Sequence, residues 1–362
     1  MDTEKFKILS IDGGGIRGVF PAMFLVEYEA KLKADGNPNW QVYQNFDFIC
    51  GTSTGGIIAI ALSLGIPAKE IYELYCNNAN VIFGNKRWLL RTFYKSSYKR
   101  DALENLVKKK FADTNNNEDP RMIDCKVPTC VTIYDLQDGA PSILKSKYHE
   151  KFVRDYHIPA YQAALATSAA PTYFNPYSSE YVDLNGLNKS FHNKVDGGVF
   201  CNNPTLTAII EVQKAFKKNL SDLSVLSLGT GHQKFSDAGM LNNNGIISKG
   251  LKKIRVIDKD GKRNNWGIKY WMLSGGKKRL IELFMQGQSQ QVQNLISLLQ
   301  NGIDKQEYPN FIYHRIDTEL DENCKIDMDE TNKEKLKKLA EKASREFQLN
   351  ASTVLKHFSK TA

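Results

Sequence analysis

Short apolar runs alternate along this chain with longer stretches in which apolar residues recur every three or four positions. Phe6–Ile11 reads as a strand that ends at Asp12. Phe20, Phe24, Leu25, Tyr28 and Leu32 then keep helical spacing through Phe20–Lys33, and Gly36-Asn37-Pro38 breaks the pattern. Phe46–Cys50 reads as the next strand and Gly55–Leu64 as the helix that follows it. Ala68–Cys76 and Asp101–Phe111 read as further helices, the second with Asp101 as its N-cap. Thr114–Pro120 reads as a loop.

Val127–Tyr134 and Ser142–Leu144 read as two strands joined through Asp138-Gly139. Ala160–Ala169 is an alanine-rich buried helix stopped by Pro171, and Tyr177–Asn193 is loop-like. Leu223–Leu228 is a strand that ends in Gly229-Thr230-Gly231, Arg279–Leu299 a long helix, and Phe311–Ile316 a last strand. Thr331-Asn332-Lys333-Glu334 fits a capping box. It opens a terminal helix with Leu336, Leu339, Ala340, Ala343 and Phe347 facing inward. Strands alternating with helices predict an α/β fold, a mostly parallel central sheet sandwiched by helices. The whole of 5–350 reads as one domain, with a basic insertion or lobe at about 237–276.

Composition narrows the class. The hydrophobic fraction of 41% and charged fraction of 25% are those of a soluble globular protein. No secretory signal is expected: Met1–Lys7 is polar, Ile8–Ile11 is too short for an apolar targeting core, and Ile57–Ile66 is about half a membrane span. The six cysteines (Cys50, Cys76, Cys125, Cys130, Cys201 and Cys324) form no CxxC pair and no metal-ligand spacing. Reduced thiols in a cytoplasmic protein without a metal are therefore expected.

The net charge of +9 is concentrated. Lys249–Arg279 alone carries eleven basic residues against Asp258 and Asp260, a surplus equal to that of the whole chain. Trp266, Tyr270 and Trp271 are interleaved with Lys252, Lys253, Lys262 and Arg263. Three readings stay open: an anionic membrane surface, where cations meet headgroups and aromatics sit at the interface; a nucleotide or nucleic-acid site; and a solvated loop.

Two glycine-rich turns carry the candidate chemistry. Gly51-Thr52-Ser53-Thr54-Gly55 has the GxSxG spacing of a nucleophile elbow, which lifts a serine on a sharp strand-to-helix turn. Asp12-Gly13-Gly14-Gly15-Ile16-Arg17-Gly18 offers backbone N–H groups at a helix start, where developing negative charge is stabilised. Gly13, Gly15 and Gly18 also satisfy GxGxxG. A dinucleotide site, however, wants an acidic residue ending the second strand, and here that strand runs into Gly51-Thr52-Ser53. No GK[ST] follows either turn, so a phosphate-binding P-loop is excluded too.

A serine nucleophile needs a base. Among the histidines, His232 after Gly229-Thr230-Gly231 is the best candidate for a triad. Val195-Asp196-Gly197-Gly198 offers an aspartate at the end of an apolar approach instead, although taken alone it reads as an ordinary Asp-Gly turn. Arg17 either steers a substrate phosphate or braces the loop. Ser168 reads as a packing serine.

The DGGGIRG loop, the GTSTG elbow and the later Asp196-Gly197-Gly198, in that order, resemble the patatin-like phospholipase family. Ala166–Phe174, Asn202-Asn203-Pro204 and Ser227–Gly231 also look familial, so the resemblance spans about Lys5 to Phe347 and is diffuse beyond Gly231. It implies a three-layer patatin-like architecture and a Ser53–Asp196 dyad without histidine or metal, with amides around Gly13, Gly14 and Gly15 as oxyanion hole. It implies membrane glycerophospholipids as substrates and a cytoplasmic enzyme peripheral to the inner face of the membrane. Some bacterial members are antiviral effectors switched on by cyclic nucleotides, so a cyclic dinucleotide activator and a homo-oligomer are further expectations; nucleic acid is not. The rival readings are a serine esterase using His232 and a nucleotide- or lipid-binding module with a relict site.

Overall fold

The computed structural model describes residues 4–84, 96–232, 279–301, 310–320 and 326–360. The basic insertion at 237–276 lies outside them, and with it Lys252, Lys253, Lys262, Arg263, Trp266 and Trp271, as does Cys324. Eight strands form one sheet: β1 (Phe6–Ile11), β2 (Phe48–Thr52), β3 (Thr129–Asp135), β4 (Ala140–Lys145), β5 (Tyr177–Val182), β6 (Asn188–Asp196), β7 (Leu223–Leu228) and β8 (Ile312–Ile316). Their order is β5-β6-β3-β2-β1-β7-β8, with β4 also paired to β3. The run β3-β2-β1-β7-β8 is parallel, and β4, β5 and β6 are antiparallel.

The helices are α1 (Val19–Ala34), α2 (Val42–Asn45), α3 (Thr54–Ser63), α4 (Ala68–Phe83), α5 (Asp101–Ala112), α6 (Ala160–Thr167), α7 (Thr205–Ala215), α8 (Arg279–Asn301) and α9 (Lys333–Phe358). They divide the core into two clusters. The larger holds α1, α3, α4 and α9 against one side of β1 and β2, and the smaller holds α7 and α8 with Ile8, Phe48, Cys50, Val225 and Tyr313. Every residue of β2, α3 and β7 is buried, which explains their near-continuous apolar sequence. Among the described residues no helix is long and apolar enough to cross a membrane.

The terminal helix closes one layer on α1. Phe347 meets Phe24 edge-on at 5.3 Å, and Phe358 stacks on Phe46 at 6.0 Å. Each such ring taken out of water contributes about 1.5–3 kcal/mol. Glu29 on α1 is buried and accepts the amides of Val42 and Ala68 at 3.1 and 2.9 Å, tying α1 to the starts of α2 and α4. Burial pushes its carboxyl up to about 7.

Several boundaries differ from the sequence reading. Tyr177–Asn193 is the β5–β6 hairpin, not a loop. Its polar residues face outward while Tyr177 and Phe191 pack together at 6.1 Å, and Asp183 closes the turn by accepting the amides of Asn185 and Leu187. The α9 cap is Asn332, which accepts from Glu334 and Lys335, because Glu330 takes the Thr331 and Asn332 amides and starts the helix one residue later. Asp101 lies inside the first turn of α5, where its charge suits the helix dipole, but its side chain makes no cap bond. The second strand begins at Phe48 rather than Phe46, since Asp47 turns its carboxylate onto the Lys7 amide at 2.7 Å.

Candidate active site

Register alone brings the two candidate groups together across 143 positions of chain. Ile11 pairs with Gly51, Thr52 with Thr132, and Ile133 with Asp196. Ser53 and Ile133 each follow one member of the Thr52–Thr132 pair, so Asp196 arrives beside Ser53 at the carboxyl ends of the parallel strands. Such an edge is where α/β sheets carry their sites.

Ser53 has φ 57 and ψ −125, the strained backbone of an elbow, and α3 starts at the next residue. The turn is tight enough that a methyl on Gly55 would stand 2.2 Å from the Ile11 carbonyl oxygen, and one on Gly51 would stand 2.1 Å from the Gly55 oxygen. The Ser53 amide donates to the Thr167 hydroxyl at 3.0 Å. That hydroxyl in turn donates to the Thr132 carbonyl at 2.7 Å. The elbow is thus anchored from the end of α6.

Asp196 is buried at the end of β6. Its amide donates to the Ala169 carbonyl at 3.1 Å, and its Oδ1 accepts the Gly198 amide at 2.7 Å. Gly197 packs against Thr132, where a side chain would collide. Burial pushes the Asp196 carboxyl up to about 7, against the Ser53 hydroxyl and the Gly198 amide, both of which favour the ionised form. Carboxylate and hydroxyl therefore face each other without an intervening histidine. His232 is engaged elsewhere: its Nδ1 lies 3.5 Å from Asp317, and that contact raises its pKa.

The glycine loop departs from the sequence reading at one position. Gly13 donates its amide to the Asn202 carbonyl at 3.0 Å and its carbonyl accepts the Thr230 hydroxyl at 2.9 Å, so Gly13 is a tether and not a donor. Among the described residues the Gly14 and Gly15 amides make no hydrogen bond, which leaves those two donors of the sequence-read trio. Gly15 has φ +59, and a methyl there would stand 2.3 Å from the Met328 carbonyl oxygen. Only glycine suits that position. Arg17 braces this loop through a long Nε contact of 3.4 Å to the Gly14 carbonyl.

An apolar cleft, open to solvent at its mouth, runs up to Ser53 and Asp196. Ile57, Ile82, Phe83, Leu103, Tyr173 and Phe174 form its walls, and Ile281 and Met285 of α8 close one side. Ser168 lines it too, but its hydroxyl is spent on the Ala164 carbonyl at 2.8 Å, the packing role read from the sequence.

Sequence reasoning missed the polar groups behind the loop. Asp12 is gripped by Arg315 through two bonds of 2.9 and 2.7 Å, and Ser289 adds a third at 3.2 Å. Asn202 joins that set through Ser289 at 3.0 Å. Asp317 lies on the other side of Arg315 at 2.9 Å; despite its burial, the guanidinium and His232 hold its carboxyl down at about 2. Only the position of Asp12 before the glycines could have pointed to such a partner.

Comparison with known proteins agrees with the arrangement. A family model of patatin-like phospholipases matches residues 9–209. Patatin-like protein 2 of Oryza sativa subsp. indica is 31% identical over 300 residues, covering 78% of this chain and 70% of that one. Patatin-like protein 1 of Arabidopsis thaliana is 29% identical over 367 residues, covering 96% and 83%. A protein of Escherichia coli (strain TW11681) named cGAMP-activated phospholipase is 32% identical over 250 residues, covering 65% of each chain. With the elbow, the glycine loop and the aspartate turn on one rim of an α/β sheet, the chain belongs to the patatin-like phospholipase family.

Proposed function

We propose that this protein hydrolyses carboxyl esters of membrane glycerophospholipids through a Ser53–Asp196 dyad. The observation that carries the reading is the buried Asp196 carboxylate against Ser53 at the end of an apolar cleft. The acyl chain enters between Ile57, Ile82 and Leu103, which leaves the ester carbonyl at Ser53. Ser53 Oγ adds to the carbonyl carbon as Asp196 takes its proton, and the oxyanion meets the Gly14 and Gly15 amides. Collapse breaks the bond to the alcohol, which leaves with the proton from Asp196. Water then adds to the acyl-enzyme with Asp196 again as base, and the departing Ser53 oxygen recovers that proton.

An aspartate is ordinarily a poor base. A carboxyl raised to about 7 is stronger and still ionised just above neutrality. Activation by a cyclic dinucleotide belongs to the same proposal, because relatives of Escherichia coli and Vibrio cholerae carry the name cGAMP-activated phospholipase. Action at the cytoplasmic membrane surface, aided by the basic stretch at 237–276, completes it.

The test is mass spectrometry of the products from mixed phospholipid liposomes, with cyclic dinucleotides added singly. Fatty acid and lysophospholipid released by the wild type and absent with Ser53→Ala are expected. Equal release by both proteins would refute the dyad.

A further inference from the structure

We propose that Arg315 is a positioning residue of the oxyanion loop and acts through Asp12. The proposal rests on the hydrolase reading above, but Arg315 itself lies outside the matched segment 9–209. Arg315 lies on β8, with its side chain only 7% exposed. Its two terminal nitrogens meet the two Asp12 oxygens at 2.9 and 2.7 Å, the paired fork that a guanidinium makes and an ammonium cannot. The same nitrogens also reach Ser227 Oγ at 2.8 Å and Asp317 at 2.9 Å, which fix the fork in the sheet.

Asp12 is one peptide bond from the glycines. Its own amide ends the β1–β7 ladder on the Leu228 carbonyl at 2.9 Å, and Gly13 is held on both sides by Asn202 and Thr230. Beyond the glycines, the Ile16 amide is held by the Met328 carbonyl at 2.9 Å. The Gly14 and Gly15 amides, which make no hydrogen bond among the described residues, hang between these two ends, so the carboxylate orientation that Arg315 sets at Asp12 is passed to them. Buried ion pairs by themselves are weak sources of stability. A pair placed at the root of an oxyanion loop contributes alignment, and a misplacement of about 1 Å can cost on the order of 10²-fold in rate.

Arg315→Lys keeps the charge and loses the fork; Ser289→Ala removes the weaker third holder of Asp12. The expected result for Arg315→Lys is a kcat lower by roughly 10- to 100-fold with KM nearly unchanged. Amide hydrogen exchange should quicken in the segment from Asp12 to Gly18 and not across the sheet. Ser289→Ala should show the same pattern more weakly. Wild-type kcat in Arg315→Lys, or exchange that rises evenly over β1, β2 and β7, would overturn the proposal. The exchange measurement needs no turnover, so it judges Arg315 even if a Ser53→Ala control shows the hydrolase reading to be wrong.

Discussion

The Thr167 hydroxyl accepts the Ser53 amide at 3.0 Å while donating to the Thr132 carbonyl at 2.7 Å. One side chain thus clamps the strained turn to the neighbouring strand. Serine is not at ease at φ 57, and such strain persists only where surrounding bonds over-determine it. Thr167→Val keeps the shape and loses the acceptor. We expect kcat to fall about tenfold or more, corresponding to roughly 1–3 kcal/mol for an orphaned buried amide. Thr167→Ser should stay near the wild type. Ester turnover of the two variants side by side checks this.

Activity should rise with pH through about 7, because Asp196 must be ionised to accept the Ser53 proton and its carboxyl is pushed up to about 7 by burial. Asp12, raised by burial to about 6 against the pull of Arg315, ionises earlier and sharpens the acid side. A kcat/KM profile on a soluble ester reads this directly. An acid limb near the ordinary carboxylate range would contradict the burial of Asp196.

The same burial predicts a stability gain. The folded protein holds the Asp196 proton more tightly than the unfolded chain, whose carboxyl titrates near 3.8. Stability contributed at that site is therefore present below about 3.8, declines as pH rises to about 7, and stays low above. Asparagine does not titrate. Asp196→Asn should match the wild type near pH 4 and exceed it by an amount on the order of a few kcal/mol at pH 8. Denaturant unfolding at both pH values measures the difference.

Ile82 and Leu103 line the apolar cleft, so added bulk there should shorten the acyl chains accepted. Leu103→Trp should lower kcat/KM for long-chain esters by about tenfold or more, the scale of one or two lost methylene contacts, and leave short-chain esters within a few-fold. Chain-length profiles of both proteins check it.

Much of the candidate site was legible because the motifs that make it up are local in sequence. Ser53 announces itself through the glycines that flank it, and Gly14 and Gly15 through the run they sit in. Asp196 was recognisable only beside those motifs, since Asp-Gly alone reads as a turn. What the chain did not reveal depends on register and sidedness. The β5–β6 hairpin was hidden because its outward face is polar, and only the alternation of Tyr177, Ser179 and Tyr181 marks it. Arg315 and Thr167 lie on distant elements and become partners of Asp12 and Ser53 only when the sheet closes. Gly13 was expected as a donor because nothing in a glycine run distinguishes a free amide from one held by Asn202.

The most direct test of the central claim is the rate at which a fluorophosphonate labels the protein at pH 8, with the modified residue mapped by peptide mass spectrometry. Labelling should fall on Ser53 alone. It should slow by roughly 10²- to 10⁴-fold in Asp196→Asn, the usual worth of a positioned base, and stay within a few-fold of the wild type in His232→Ala. Wild-type labelling of Asp196→Asn, or collapse in His232→Ala, would contradict the dyad.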